Sequence, residues 1–135
     1  LRQVPGVGPI TALAYVLTIE NPGRFKKGRE VGPYLGLTRR KDQSGEVDKE
    51  LRITKHGDKY LRCLLVSAAQ YILGPLNKKD SAVRQFGLRL SQGGKRAKKR
   101  AVVAVARKLA VLLHRLWVAG EVYEAFPGQS QDEAA

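Results

Sequence analysis

The sequence predicts a small, mainly α domain interrupted by one long polar loop. Three observations carry that expectation. Apolar residues recur at helical spacing in four separate segments, clusters of Gly, Pro and Asn punctuate the chain between them, and the stretch from Thr38 to Thr54 has no period at all. With 135 residues and 43% hydrophobic content, the chain is one domain's worth, enough for a single modest core over residues 1–125.

The first segment reads VPGVGPITALAYVLTI. Pro9 suits a first helical turn, where its missing amide costs nothing, and Ile10, Leu13, Ala14 and Leu17 then recur as a helical stripe. Asn21, Pro22 and Gly23 end that helix, and KKGREVGPYLGL supplies a short one around Arg29 to Leu35. From Thr38 to Thr54 the chain is polar with charges of alternating sign, an exposed loop or loose hairpin anchored by Leu51 and Ile53. It is long for a structureless connection in a compact domain, which favours a working loop.

Helix resumes at Asp58, a candidate N-cap, with Leu61, Leu64, Leu65, Ala68, Ala69 and Ile72 as its apolar stripe until GPLN closes it. Asp80 or Ser81 caps the next helix, SAVRQFGLRLSQ, with Val83, Phe86 and Leu90 expected to face inward. Gly93 and Gly94 break it. The final helix, KRAKKRAVVAVARKLAVLLHRLWVA, is the longest; its start is nearly all basic and its remainder nearly all apolar. The tail from Phe126 onward carries no core residues and is expected to be disordered.

Charge narrows the partners. Twenty-five Lys and Arg against 12 Asp and Glu leave a formal +13, which favours a polyanion, because each phosphate neutralised releases counterions. From Ser81 to Gly120 there are ten basic residues and no acid, whereas the last 15 residues hold four acids and no base. A merely soluble face normally mixes signs. Nucleic acid is therefore preferred over an anionic membrane, and no apolar run approaches 18 residues. A single cysteine, Cys63, excludes an intramolecular disulfide and a cysteine-rich zinc site, with a reducing cytoplasm the simplest compartment. The opening LRQVPGVG has neither a methionine nor a basic-then-apolar leader, so a piece of a longer protein is expected.

Four features bear on chemistry. PGVG ahead of an apolar helix is the hairpin signature of helix-hairpin-helix modules, in which Gly6 and Gly8 let the backbone approach a phosphate and the next helix aims its first amides there. The alternative is a tight turn before an ordinary helix. The cluster Lys95, Arg96, Lys98, Lys99 and Arg100 suits phosphate contacts rather than base reading. Tyr34, Tyr60 and Tyr71 are stacking candidates or core-edge residues, and no aromatic–basic motif of the single-strand-binding kind links them. His56 and His114 lie too far apart for a helical ligand pair, and Asp42, Glu46, Asp48 and Glu50 lack calcium-loop or two-metal spacing, so no cofactor or metal is assigned to this stretch. Cys63, on LRCLL, reads as a buried small hydrophobe.

Ser44 stands apart. Gln43-Ser44-Gly45 is by itself a turn, but Arg39, Arg40, Lys41, Arg52, Lys55, His56, Lys59 and Arg62 flank the loop with the positive charge that attack on a phosphodiester needs. No general base is evident beside it.

In order and spacing, VPGVGPITA, RFKKGREVGPYLGL, QSG, RITKHGDKYLRCLLVSAA and AVVAVARKLAVLLHRL resemble the C-terminal domain of a group of bacterial insertion-sequence transposases, over residues 1–123. Those proteins carry an N-terminal acidic domain related to Holliday-junction resolvases and recombine DNA under a structured guide RNA. The resemblance implies that Ser44 is the serine that becomes linked to a DNA 5′ phosphate. It also implies that the family's metal-binding acids, and with them a divalent metal, belong to the other domain. On that reading Arg39, Arg40, Arg52, Lys55 and Lys59 are expected to stabilise developing charge or hold the strand, and recombination at two ends favours a homo-oligomer of the full-length protein. Where the family carries GLVPR this chain reads GLTRR, losing the proline after Leu37. A non-catalytic nucleic-acid-binding helical domain is the main alternative, and an RNA-structural protein of ribosomal type the second.

Overall fold

The computed structural model describes residues 1–37 and 58–127. Five helices follow in chain order: α1 (Pro9–Ile19), α2 (Val31–Tyr34), α3 (Lys59–Leu73), α4 (Ala82–Leu90) and α5 (Lys95–Ala119). Two 3-10 turns, Pro22–Arg24 and Gly28–Glu30, lie between α1 and α2, and there is no strand among the described residues. The expected mainly α architecture holds there. The polar loop and the tail beyond Pro127 lie outside the described residues.

Helix starts follow capping chemistry. Asp58 Oδ1 accepts from the Leu61 amide at 2.8 Å and opens α3. Ser81, rather than Asp80, caps α4: its Oγ accepts from the Arg84 amide at 3.1 Å. Asp80 accepts instead from the Ser81 amide and from Gln85 Nε2. Those bonds, Gln85 first, hold its carboxyl below the usual range, helped by Arg84. At the other end of the chain, the Ala82 amide donates to Ala125 O and the Tyr123 amide to Gln3 Oε1. The segment after α5 thus folds back over both the start of α4 and the N-terminal turn.

α5 is the axis of the body, with α2, α3, α4 and both 3-10 turns packed on it. It buries Ala101, Val105, Leu109, Leu113 and Leu116, while α3 buries Leu61, Leu65, Ala68, Ala69 and Ile72. Each large aliphatic side chain so covered contributes about 1.5–3 kcal/mol. α4 approaches at Gly87, where an added Cβ would lie 2.5 Å from Leu73 Cδ2 and 2.6 Å from Val105 Cγ2. No larger residue fits that crossing without displacing one of them.

α1 turns the other way from its most regular stripe. Ile10, Leu13 and Leu17 are 65%, 59% and 65% exposed, and the residues it buries are Thr11, Tyr15 and Ile19. The helix is apolar nearly all round, so periodicity did not choose a face. Tyr15 decides it, because its ring is fully buried beside Trp117 and its hydroxyl finds an acceptor on α5. Three smaller expectations also change. Cys63 is exposed, since it sits between the turns that present Leu61 and Leu65. Leu90 is exposed at the end of α4. Arg62 is buried in the body, its Nη1 donating to Leu35 O at 3.4 Å, rather than displayed beside the loop.

Candidate nucleic-acid interface

The basic cluster lies in the first turns of α5. Lys95, Arg96, Lys98, Lys99 and Arg100 are all exposed, and the first buried residue of α5 is Ala101. This end therefore stands clear of the core on nearly every side. Cations in a first turn oppose the helix dipole, and no acidic residue in that turn offsets them. Among the described residues no ion pair engages Lys95, Arg96, Lys98 or Lys99. Two cations further along α5 are occupied: Lys108 Nζ lies 3.8 Å from the Phe86 ring centroid, and Arg115 lies 3.9 Å from the Glu121 carboxylate.

The N-terminal turn forms one wall of an open groove of about 770 Å³ whose other walls come from α3 and from Leu76–Lys79. Gly6 has φ +85°, and a Cβ there would meet Ala68 O at 3.0 Å, so its glycine is required for the turn to lie against α3. Gly8 faces open space and caps α1 with no side chain. With proline at the first helical position, the amides of Ile10 and Thr11 have no acceptor among the described residues. Arg2, Lys78 and Lys79 line the groove and, among the described residues, no acid does; the sequence had pointed to none of these cations. The lysine pair in the loop after α3 was their only sequence signal.

Lys59 is exposed in the first turn of α3 and is not among the residues that line the groove. Arg39, Arg40, Ser44, Arg52, Lys55 and His56 lie outside the described residues. His114 is buried, with Nε2 2.7 Å from Pro22 O and its ring edge-on to Phe25, which makes it a structural residue. Among the described residues no group of three or more His, Cys, Asp or Glu is placed to hold a metal ion. No helix there is long and apolar enough to cross a membrane.

The family model described as the transposase IS116/IS110/IS902 family matches residues 1–82. The chain belongs to this transposase family. It is 34% identical over 131 residues, 97% of its own length and 34% of the relative's, to the putative transposase y4pF/y4sB of Sinorhizobium fredii. It is 30% identical over 123 residues to the transposase for insertion sequence element IS1111A of Coxiella burnetii, covering 91% of this chain and 33% of that one. A pilin gene-inverting protein of Moraxella lacunata is 30% identical over 113 residues, 83% of this chain and 34% of the relative. The chain thus spans about a third of the length of these family members.

Proposed function

We propose that this chain is a nucleic-acid-binding helical part of a larger DNA transposase, gripping phosphate backbone with the exposed N-terminal end of α5. The observation that carries it is that end itself: Lys95, Arg96, Lys98, Lys99 and Arg100 exposed ahead of the core, within forty residues that contain no acid. Phosphates compensate both the mutual repulsion of these cations and their conflict with the helix dipole. Family membership supports DNA as the polyanion, and the relative named for inverting a pilin gene acts on DNA by rearranging it. A helix-hairpin-helix-like role for the Val4–Gly8 turn fits this reading, with the open amides of α1 toward a phosphate. In a mobility-shift assay the chain should retard two unrelated duplexes at similar concentrations, since backbone contacts carry no sequence information. No retardation of either at low salt overturns the proposal.

The finer part concerns Ser44, and its support is the position of Ser44 in the family-like QSG motif amid flanking cations. In the full-length protein Ser44 Oγ attacks the phosphorus, an Oγ–P bond forms, and the P–O3′ bond breaks to leave a protonated 3′ hydroxyl. Arg39, Arg40, Arg52, Lys55 and Lys59 stabilise the charge that develops on the non-bridging oxygens. The companion domain, a divalent metal held there, a structured guide RNA and a second copy complete the machinery, so residues 1–135 alone should not recombine DNA. Full-length protein with a labelled recombination substrate should form a covalent adduct that Ser44→Ala abolishes. An adduct that survives the substitution removes Ser44 from the role.

A further inference from the structure

We infer, on the nucleic-acid reading above, that the groove beside the N-terminal turn is a second contact site, one that takes an unpaired strand with a base stacked on Tyr71. Tyr71 lies on the groove wall near the end of α3, 43% exposed. No ring, hydrogen bond or cation among the described residues engages its side chain, in contrast to Tyr15, which packs beside Trp117, and Tyr34, which packs against Phe25 and Arg24. A large ring left uncovered inside a groove is a stacking platform that accepts any base, because every base has a π-face.

The rest of the groove supplies what a backbone needs. Lys78 and Lys79 are exposed on the Leu76–Lys79 wall, Arg2 stands on the N-terminal wall, and among the described residues no carboxylate lines the space between. The nearest acid in sequence, Asp80, is bound to Gln85 and the Ser81 amide at the start of α4. Asn77 fixes the lysine-bearing wall: its Nδ2 donates to Ile72 O at 3.1 Å and its Oδ1 accepts from the Lys79 amide at 3.1 Å. The groove falls within the roughly 300–1,000 Å³ that enclose small organic ligands, a scale suited to individual nucleotides rather than a duplex. Cations on two walls, an open aromatic face and a pre-formed lysine loop together fit a phosphodiester strand whose bases are free to turn inward.

The test is fluorescence anisotropy on labelled oligothymidylate, oligouridylate and a blunt duplex, with wild type, Tyr71→Ala, Tyr71→Phe and Lys78→Ala/Lys79→Ala. Tyr71→Ala should weaken binding to the unpaired strands by about five-fold or more while leaving the duplex within about two-fold, and Tyr71→Phe should restore it. The lysine variant should flatten the log–log salt slope on unpaired strands by up to about 1.4. The deoxy and ribo strands distinguish DNA from RNA as the source. Unchanged binding by Tyr71→Ala, or equal losses on strand and duplex, overturns the site. Duplex binding by wild type without strand binding defeats the groove alone, whereas binding to none of the three defeats the nucleic-acid reading with it.

Discussion

The Tyr15 hydroxyl donates to the Ala110 carbonyl oxygen at 2.7 Å, pinning α1 to the middle of α5 across 95 residues of sequence. Burial of that phenol pushes its pKa upward out of the ordinary tyrosine range. The unfolded chain ionises near pH 10. Because the folded value is the higher one, the contribution of Tyr15 is fully present below about pH 10 and is lost as pH rises further. Tyr123 shifts the same way through burial, opposed in part by its bond to Ser81. Urea-denaturation stability should therefore fall above about pH 10, and Tyr15→Phe should make that fall shallower. A wild-type limb that is flat there, or unchanged by the substitution, contradicts the assignment.

The orientation of α1 gives a second expectation. Replacing Ile10, Leu13 and Leu17 individually by Gln should change stability by no more than about 0.5 kcal/mol each, as surface positions do. Tyr15→Ala should cost about 3–5 kcal/mol, the range for emptying a large aromatic site. Urea midpoints decide between the two faces, and a larger loss from Leu13→Gln than from Tyr15→Ala would reverse the helix.

These two stripes also mark how far the sequence could be read. α3 and α5 were legible because each has one apolar face against charged or polar neighbours, so Leu61 to Ile72 and Ala101 onward had a single way to pack. Their starts were legible as well, since Asp58 and the Gly93–Gly94 pair are local signals. α1 offered apolar residues on every side, and the deciding contact, Tyr15 to Ala110, is non-local. The burial of Arg62 was hidden for the same reason: Leu35 O, which accepts from it, lies just past the end of α2 and 27 residues away in sequence. At the interface, Lys95 to Arg100 could be read as a run, but the groove could not. Arg2 is far in sequence from the Lys78–Lys79 pair, and they line one groove only through the fold.

The α4–α5 crossing should tolerate no side chain. Gly87→Ala removes the conformational cost of a helical glycine, worth about 1 kcal/mol, yet places a methyl against Val105, a stiff β-branched residue with no room to move. Overpacking of this kind costs about 1–3 kcal/mol, so a net loss of roughly 1 kcal/mol is expected, and a larger one for Gly87→Val. A rise in the thermal midpoint of either variant would show that the crossing is looser than the distances indicate.

Phosphate binding by the exposed end of α5 is tested most directly by replacing Lys95, Lys98 and Lys99 together with Ala. All three side chains are exposed ahead of Ala101, and alanine favours helix, so the fold should be preserved by circular dichroism and melting. In an anisotropy salt titration against two unrelated duplexes, the triple variant should bind both more weakly, by a similar factor. Its log–log salt slope should flatten by up to about 2.7 if each lysine neutralises one phosphate. Unchanged affinity and slope on both duplexes would reduce the cationic end of α5 to a solvated surface and contradict the account.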